Sequence, residues 1–269
     1  MATRLPKEMI DMQKNIIAKG IDVSYSNGRI DWDKMKNNVD FVIIRCGYGG
    51  NYANQDDAQW LANVNACEEK KIPYGVYLYS YATTVDKAKN EAKHVLRLLE
   101  GHNPDYPVFL DLEESRISAL GKDKILEIAK VFCERITAAG YRYGTYANKY
   151  WYDTYLTDSW YGEYPKWIAQ YNKQCTYNGK YDIWQYSKTG KFNGFEGNFD
   201  LNYCYTSFVE GDADGDGKVT AADARKVLRA SAGTEKLTND EIILADVDGD
   251  GNITAADARH ILRDSAGIE

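Results

Sequence analysis

The sequence predicts an irregular β/α barrel of eight strands with fewer helices, followed by a small all-α C-terminal module of two loop-helix repeats. Three observations predict it. Short apolar runs alternate with helical patterns, which implies parallel β-α units. Eight such runs fit into about 200 residues, and the later links are too short for full helices. After Phe208 there is no further aromatic residue, and a 34-residue repeat rich in aspartate begins.

The predicted strands are Gly20–Ser24, Asp40–Cys46, Tyr74–Tyr81, Pro107–Glu113, Tyr143–Ala147, Lys166–Tyr171, Asp182–Ser187 and Asn198–Tyr203. Each is a short apolar or aromatic run. Helical patterns fill Asp56–Lys70, Thr84–Glu100 and Lys122–Ala139. In the last of these, Ile125, Ile128, Ala129, Phe132 and Ile136 recur at helical spacing, and Gly140 stands where a C-cap belongs. The resulting plan is an extension over residues 1–17, a first module over 18–208 and a second over 209–269.

Composition narrows the function classes. The 269 residues carry a net charge of -7. Residues 209–269 hold 14 of the 40 acidic and 7 of the 33 basic residues, so the first 208 are neutral and the whole excess is in the tail. This argues against a nucleic-acid binder. No apolar run approaches a membrane span. The five cysteines (Cys46, Cys67, Cys133, Cys175, Cys204) form no C-x-x-C pair and are expected as free thiols. The opening MATRLPKEMI lacks an apolar core, so no export leader is expected in this chain. His94, His102 and His260 are expected at the surface.

The chemistry is expected at Pro107–Glu114, where an apolar strand runs into acids. Asp111 and Glu113 are two apart and project to the same side. At the C-terminal end of a barrel strand that side is the mouth. Two carboxyl groups held this close raise one pKa, and a protonated acid beside a charged one suits glycosidic cleavage. Asp22 and Asp200 lie in comparable contexts on strands one and eight, which become neighbours when a barrel closes. Aromatic and polar residues collect on the same strands as candidate sugar contacts: Tyr77, Tyr79, Tyr146, Trp167, Tyr171, Trp184, Gln185, Tyr186 and Asn202.

In order along residues 18–208, GIDVS (20–24), GVYLYS (75–80), LDLE (110–113), KWIAQY (166–171), IWQYS (183–187) and FDLN (199–202) resemble glycoside hydrolase family 25, the lysozymes of bacterial peptidoglycan. The resemblance implies an irregular barrel and hydrolysis of the β-1,4 bond from N-acetylmuramic acid to N-acetylglucosamine. It implies Glu113 as general acid/base and Asp111 as its partner, with Asp22 and Asp200 shaping the site. Retention of configuration, possible through the substrate's own acetamido group, and no catalytic cofactor are expected. Two other readings stand beside it: cleavage of another N-acetylhexosamine polymer such as chitin, and a non-catalytic wall-binding module.

The tail carries two twelve-residue loops. Asp212, Asp214, Asp216, Lys218, Thr220 and Asp223 occupy positions 1, 3, 5, 7, 9 and 12 of the first. Asp246, Asp248, Asp250, Asn252, Thr254 and Asp257 repeat them. Oxygen ligands at this spacing suit two calcium ions, with a backbone carbonyl at position 7 and Gly217 or Gly251 at the turn. The duplicated loop-helix resembles a type I dockerin. That implies a cohesin domain of a scaffoldin as partner, met by Ala221, Ala222, Arg225, Leu228, Arg229 and by Ala255, Ala256, Arg259, Leu262, Arg263. The chain is then expected to be extracellular or at the cell surface, and monomeric apart from cohesin.

Overall fold

The computed structural model describes residues 16–268, without the side chains at 239 and 240. The extension expected over residues 1–17 therefore lies outside the described residues, except for Ile16 and Ile17. Ile17 already joins the barrel, its N–H donating to the Cys204 carbonyl at 2.9 Å.

Eight strands close a barrel in sequence order: β1 (Ala18–Val23), β2 (Phe41–Tyr48), β3 (Tyr74–Tyr79), β4 (Val108–Asp111), β5 (Tyr143–Asn148), β6 (Lys166–Ala169), β7 (Ile183–Gly190) and β8 (Phe199–Cys204). All eight expected strands form. Strands β1 to β7 run parallel, whereas β8 is antiparallel to both β7 and β1. The expectation of parallel units fails at β8 for a physical reason. Residues 191–198 are too short for a crossover, which needs a dozen residues or more, so the chain turns straight back.

Helices are fewer and shorter than in a regular barrel. They are α1 (Trp32–Met35), α2 (Trp60–Glu69), α3 (Val85–Leu98), α4 (Ser115–Ser118), α5 (Lys122–Ala138) and α6 (Lys149–Thr154). Helix α5 buries Ile125, Ile128, Ala129, Phe132 and Ile136, the stripe visible in the sequence. It ends at Gly140, whose φ of +88° only glycine adopts readily.

Strand alternation builds two cores. Phe41, Ile43, Phe109, Tyr146, Trp167 and Ile183 fill the interior of the barrel. Val42, Ile44, Val76, Leu78, Val108 and Leu110 point outward and pack with Val64, Val95, Ile125 and Phe132. Gly20 and Gly144 are required by the interior rings. A Cβ at either would stand 2.6 Å from the ring of Phe41 or Phe109.

The tail has three helices: α7 (Ala221–Ser231), α8 (Asn239–Ala245) and α9 (Ala255–Ser265). Helices α7 and α9, the expected pair, bury Val227 and Ile261 in a small core of their own. Helix α8 was not expected. Its start is a reciprocal cap between Thr238 and Glu241. The tail lies under the base of the barrel. Phe208 packs on Tyr106 in the barrel interior, and Gly217 of the first loop abuts Ile17.

Candidate active site

Asp22, Asp111, Glu113 and Asp200 gather at the mouth, as expected. Asp111 is the last residue of β4, and Glu113 follows beyond it in the loop rather than on the strand. Asp22 and Asp200 are direct partners in the antiparallel ladder of β1 and β8. Because β8 is reversed, Asp200 reaches the mouth from the start of its strand, whereas the other acids come from strand ends.

Burial dominates the electrostatics. Asp22 is 5% exposed, and burial together with the Asp200 charge pushes it up to about 8. Hydrogen bonds from Asn202 and Gln185 to its Oδ2, each 2.8 Å, oppose that shift. Asp111 is held well above the ordinary carboxylate range by burial, then by Glu113 and Asp22, with Arg45 pulling it down. Its Oδ1 is buried with no hydrogen-bond partner among the described residues. Glu113 is only partly buried and is raised by burial and by Asp200. Burial also raises Asp200, with Lys188 opposing. The site therefore holds protons that four ordinary carboxyl groups would have lost.

The expected sugar contacts divide by strand face. Tyr77, Tyr146, Trp167, Gln185 and Asn202 point inward with the acids, and Tyr79 lies at the mouth, where its hydroxyl reaches Glu114 at 3.5 Å. Tyr171 is 50% exposed beside them, its hydroxyl on Gln185 at 2.9 Å. Trp184 and Tyr186 are corrected. They lie on the outer face, where Tyr186 stacks on Tyr203 at 4.0 Å and Trp184 packs beside it. On a strand that points Gln185 inward, its two neighbours must point outward. Trp167 (1% exposed) and Asn202 (0%) are corrected in a different sense: they face the site but are buried beneath its floor.

Sequence reasoning missed a buried ion pair beside the acids. Arg45 Nε donates to Asp57 Oδ2 at 2.7 Å, and its guanidinium lies over the Tyr25 ring at 4.6 Å. With Tyr48, Tyr79 and Tyr81 these residues line a cleft at the mouth. The available signal was a lone Arg in an apolar strand, in phase with Phe41 and Ile43. His94 is also corrected. It is fully buried, with Nε2 2.7 Å from Asp56 Oδ1 and Nδ1 3.1 Å from the Gly49 carbonyl, so each nitrogen faces an acceptor. His102 contacts Glu68, and His260 is exposed. Cys46, Cys67, Cys133 and Cys204 are buried free thiols.

In the tail, Asp212, Asp214 and Asp216 bring carboxylate oxygens within 4.8 Å of one another, and Asp246, Asp248 and Asp250 do the same. Asp223 and Asp257 stand outside these groups, each buried and accepting from the N–H of Thr220 or Thr254. The loops turn as expected, with Gly217 and Gly251 at φ +91° and +81°. Three hard oxygen donors per loop, with Asp223 or Asp257 close behind, suit a divalent cation such as Ca²⁺. Lys218, Asn252, Thr220 and Thr254 occupy the intervening positions. Ala221, Arg225, Leu228, Arg229, Ala255, Arg259, Leu262 and Arg263 are exposed, and Ala222 and Ala256 are half-buried.

Residues 21–195 match the family described as Glycosyl hydrolases family 25, and residues 210–263 match the Dockerin type I domain. The chain is 25% identical over 188 residues to an autolytic lysozyme of Clostridium acetobutylicum, covering 68% of this chain and 55% of that one. Among solved structures, it resembles a modular autolysin of Streptococcus pneumoniae in complex with a synthetic peptidoglycan ligand. That similarity has a TM-score of 0.64 and 29% identity over 70% of this chain and 46% of the other. A family 25 glycosyl hydrolase of Bacillus anthracis shares the fold, with a TM-score of 0.60 and 24% identity over 73% of this chain and 91% of that one. The chain thus spans about half the length of the autolytic lysozyme and of the modular autolysin.

Proposed function

The chain belongs to glycosyl hydrolase family 25, and from that membership we propose that it is a lysozyme hydrolysing the β-1,4 bond between N-acetylmuramic acid and N-acetylglucosamine in peptidoglycan. The observation that carries the proposal is the partly open Glu113, its pKa raised by burial and by Asp200, beside the deeply buried Asp111. Glu113 gives its proton to the leaving oxygen. Asp111 offers Oδ1, buried and unpartnered, to the acetamido N–H of the sugar while positive charge grows at the anomeric carbon. The acetamido oxygen attacks the anomeric carbon as its bond to the leaving oxygen breaks; water, giving its proton back to Glu113, then opens the cyclic intermediate from the original face, so configuration is retained. Tyr77, Tyr79, Tyr146 and Tyr171 supply ring faces and hydroxyls around the sugar.

The tail, taken as residues 209–269 after a catalytic domain over 18–208, is a calcium-dependent docking module in this reading. Asp212, Asp214, Asp216 and Asp223 would hold one ion and Asp246, Asp248, Asp250 and Asp257 the other, closing each loop onto its helix. The exposed Leu228 and Leu262, each flanked by arginines, form the contact for a cohesin. Such an enzyme works outside the cell or at its surface.

Digestion of purified peptidoglycan by wild type and Glu113→Gln tests the reading, with products reduced and their sugar ends identified by mass spectrometry. Reduced muramic acid ends from wild type alone are expected. Release from chitin oligomers but not peptidoglycan would replace the substrate, and binding without release would replace the enzyme with a wall-binding module. An inverted anomer in fresh product, or a glycosyl adduct on Asp111, would overturn the mechanism.

A further inference from the structure

Two buried amides grip one oxygen of Asp22. Gln185 Nε2 and Asn202 Nδ2 both donate to Oδ2 at 2.8 Å. A side-chain amide turned end for end would present an acceptor instead of a donor. Asn202 cannot turn without loss. Asn202 Oδ1 accepts the indole N–H of Trp167 at 2.8 Å, and an indole N–H only donates. Turning Asn202, at 0% exposure, would set donor against donor on one side and acceptor against carboxylate on the other. Gln185 Oε1 accepts the hydroxyls of Tyr146 and Tyr171, each at 2.9 Å; a phenol can donate or accept, so the polarity fixed from behind is that of Asn202, held by the indole. A line of donors thus runs from Trp167 and two tyrosines, through two amides, to a single carboxyl oxygen.

With two N–H groups converging on Oδ2, Oδ1 is the atom on which a proton can sit. We propose that Trp167, Asn202 and Gln185 are positioning residues that confine the Asp22 proton to Oδ1, so that Asp22 offers the bound sugar one hydrogen-bond donor of fixed direction. This rests on the glycosidase reading of the same mouth. The charged and titratable groups around Asp22 are Asp200 on β8, Asp111 on β4, and the phenols of Tyr77, Tyr146 and Tyr171, with Arg45 of β2 facing Tyr77 and Asp111. Burial and Asp200 hold Asp22 near 8, so the proton is present at neutral pH.

The test uses the full chain labelled with ¹³C at aspartate carboxyls, in wild type, Trp167→Phe and Gln185→Met. The Asp22 resonance is identified by its loss in Asp22→Asn. Hydrogen bonds to Oδ2 favour the charged form. The Asp22 midpoint is therefore expected to rise by about half a pH unit or more in each variant. Loss of orientation is expected to lower kcat on peptidoglycan about 10- to 100-fold with KM within about twofold, the scale of lost second-layer support. Unmoved midpoints in both variants overturn the proposal. So does a raised KM with kcat intact, because that marks direct sugar contacts. If Trp167→Phe lowers the melting temperature, the titration of Gln185→Met combined with Tyr146→Phe decides, because the buried hydroxyl that Gln185 held goes with it and Tyr171 is half-exposed and can bond water instead. If wild type releases no muramic acid ends, the glycosidase reading falls, while the titration still decides whether the network controls Asp22.

Discussion

Asp22 and Asp200 stand directly opposite each other in the antiparallel ladder of β1 and β8. One comes from the first strand and the other from the last, so closure of the barrel is what makes them neighbours. The Asp200 charge raises the pKa of Asp22, and Glu113 feels the same charge.

Replacing Glu113 with Gln keeps shape and removes the proton donor. Release of reducing ends is expected to fall by about 10³-fold, within the range of general acid catalysis, with an unchanged melting temperature. Retention of a tenth of wild-type activity would move the proton donor to another residue.

Stability should depend on pH through Asp22. Its folded value of about 8 lies above the ordinary 3.8, so the folded chain holds this proton more tightly than the unfolded one. The stabilising contribution is complete below about pH 4 and is lost as pH rises through 8. Asp22→Asn keeps an acceptor for the two amides and never ionises. Its melting temperature is expected above wild type at pH 9 and close to it at pH 4. An equal difference at both would contradict the assignment.

The Arg45–Asp57 pair is expected to matter for folding. Asp57 has a fully buried side chain and also accepts from the N–H of Tyr25 and Gln59. Arg45→Met leaves that charge buried without its cation, at a cost of about 3 kcal/mol. Urea unfolding measures it, and a loss below about 0.5 kcal/mol would mean that solvent reaches Asp57.

Chelation should separate the two loops. The first touches Ile17 at the barrel base, and Asp212 is fully buried, whereas Asp246 is half-exposed. In calcium, Asp214→Ala is expected to lower the melting of tail and barrel together, and Asp248→Ala that of the tail alone. Binding energy lost at saturating ion is about 3 kcal/mol for each site. Calorimetry with and without EDTA reads both transitions, and identical profiles for the two variants would refute the asymmetry.

Much of this arrangement was legible. Asp22 and Asp111 lie on apolar strands with strict alternation, and parity alone sends them inward. The repeat announced the loops without ambiguity. Other features were hidden for definite reasons. The sequence of β8 carries no mark of its direction, which is set by the short link before it. Trp184, Gln185 and Tyr186 cannot all face the sugar on one strand, so alternation already contradicted that grouping. Trp167 and Asn202 have the right side but the wrong depth, because periodicity gives the face and not what lies above it. Helix α8 carried a readable signal, Thr238 three residues before Glu241, but it fell between two copies of a repeat that drew the boundaries around itself. His94 adjoins the buried positions 91, 92 and 95 of α3, yet nothing local foretold that Asp56 and Gly49 would supply partners for both nitrogens.

The reversed last strand also decides which way the molecule points. A chain that climbed through eight parallel strands would leave its barrel at the rim, and whatever followed would crowd the opening. Here the descent of β8 carries the backbone out beneath the floor, and Phe208 stoppers that end. The tail and the mouth are thus at opposite poles of the barrel. On the docking reading proposed above, a partner that holds the tail leaves the mouth uncovered.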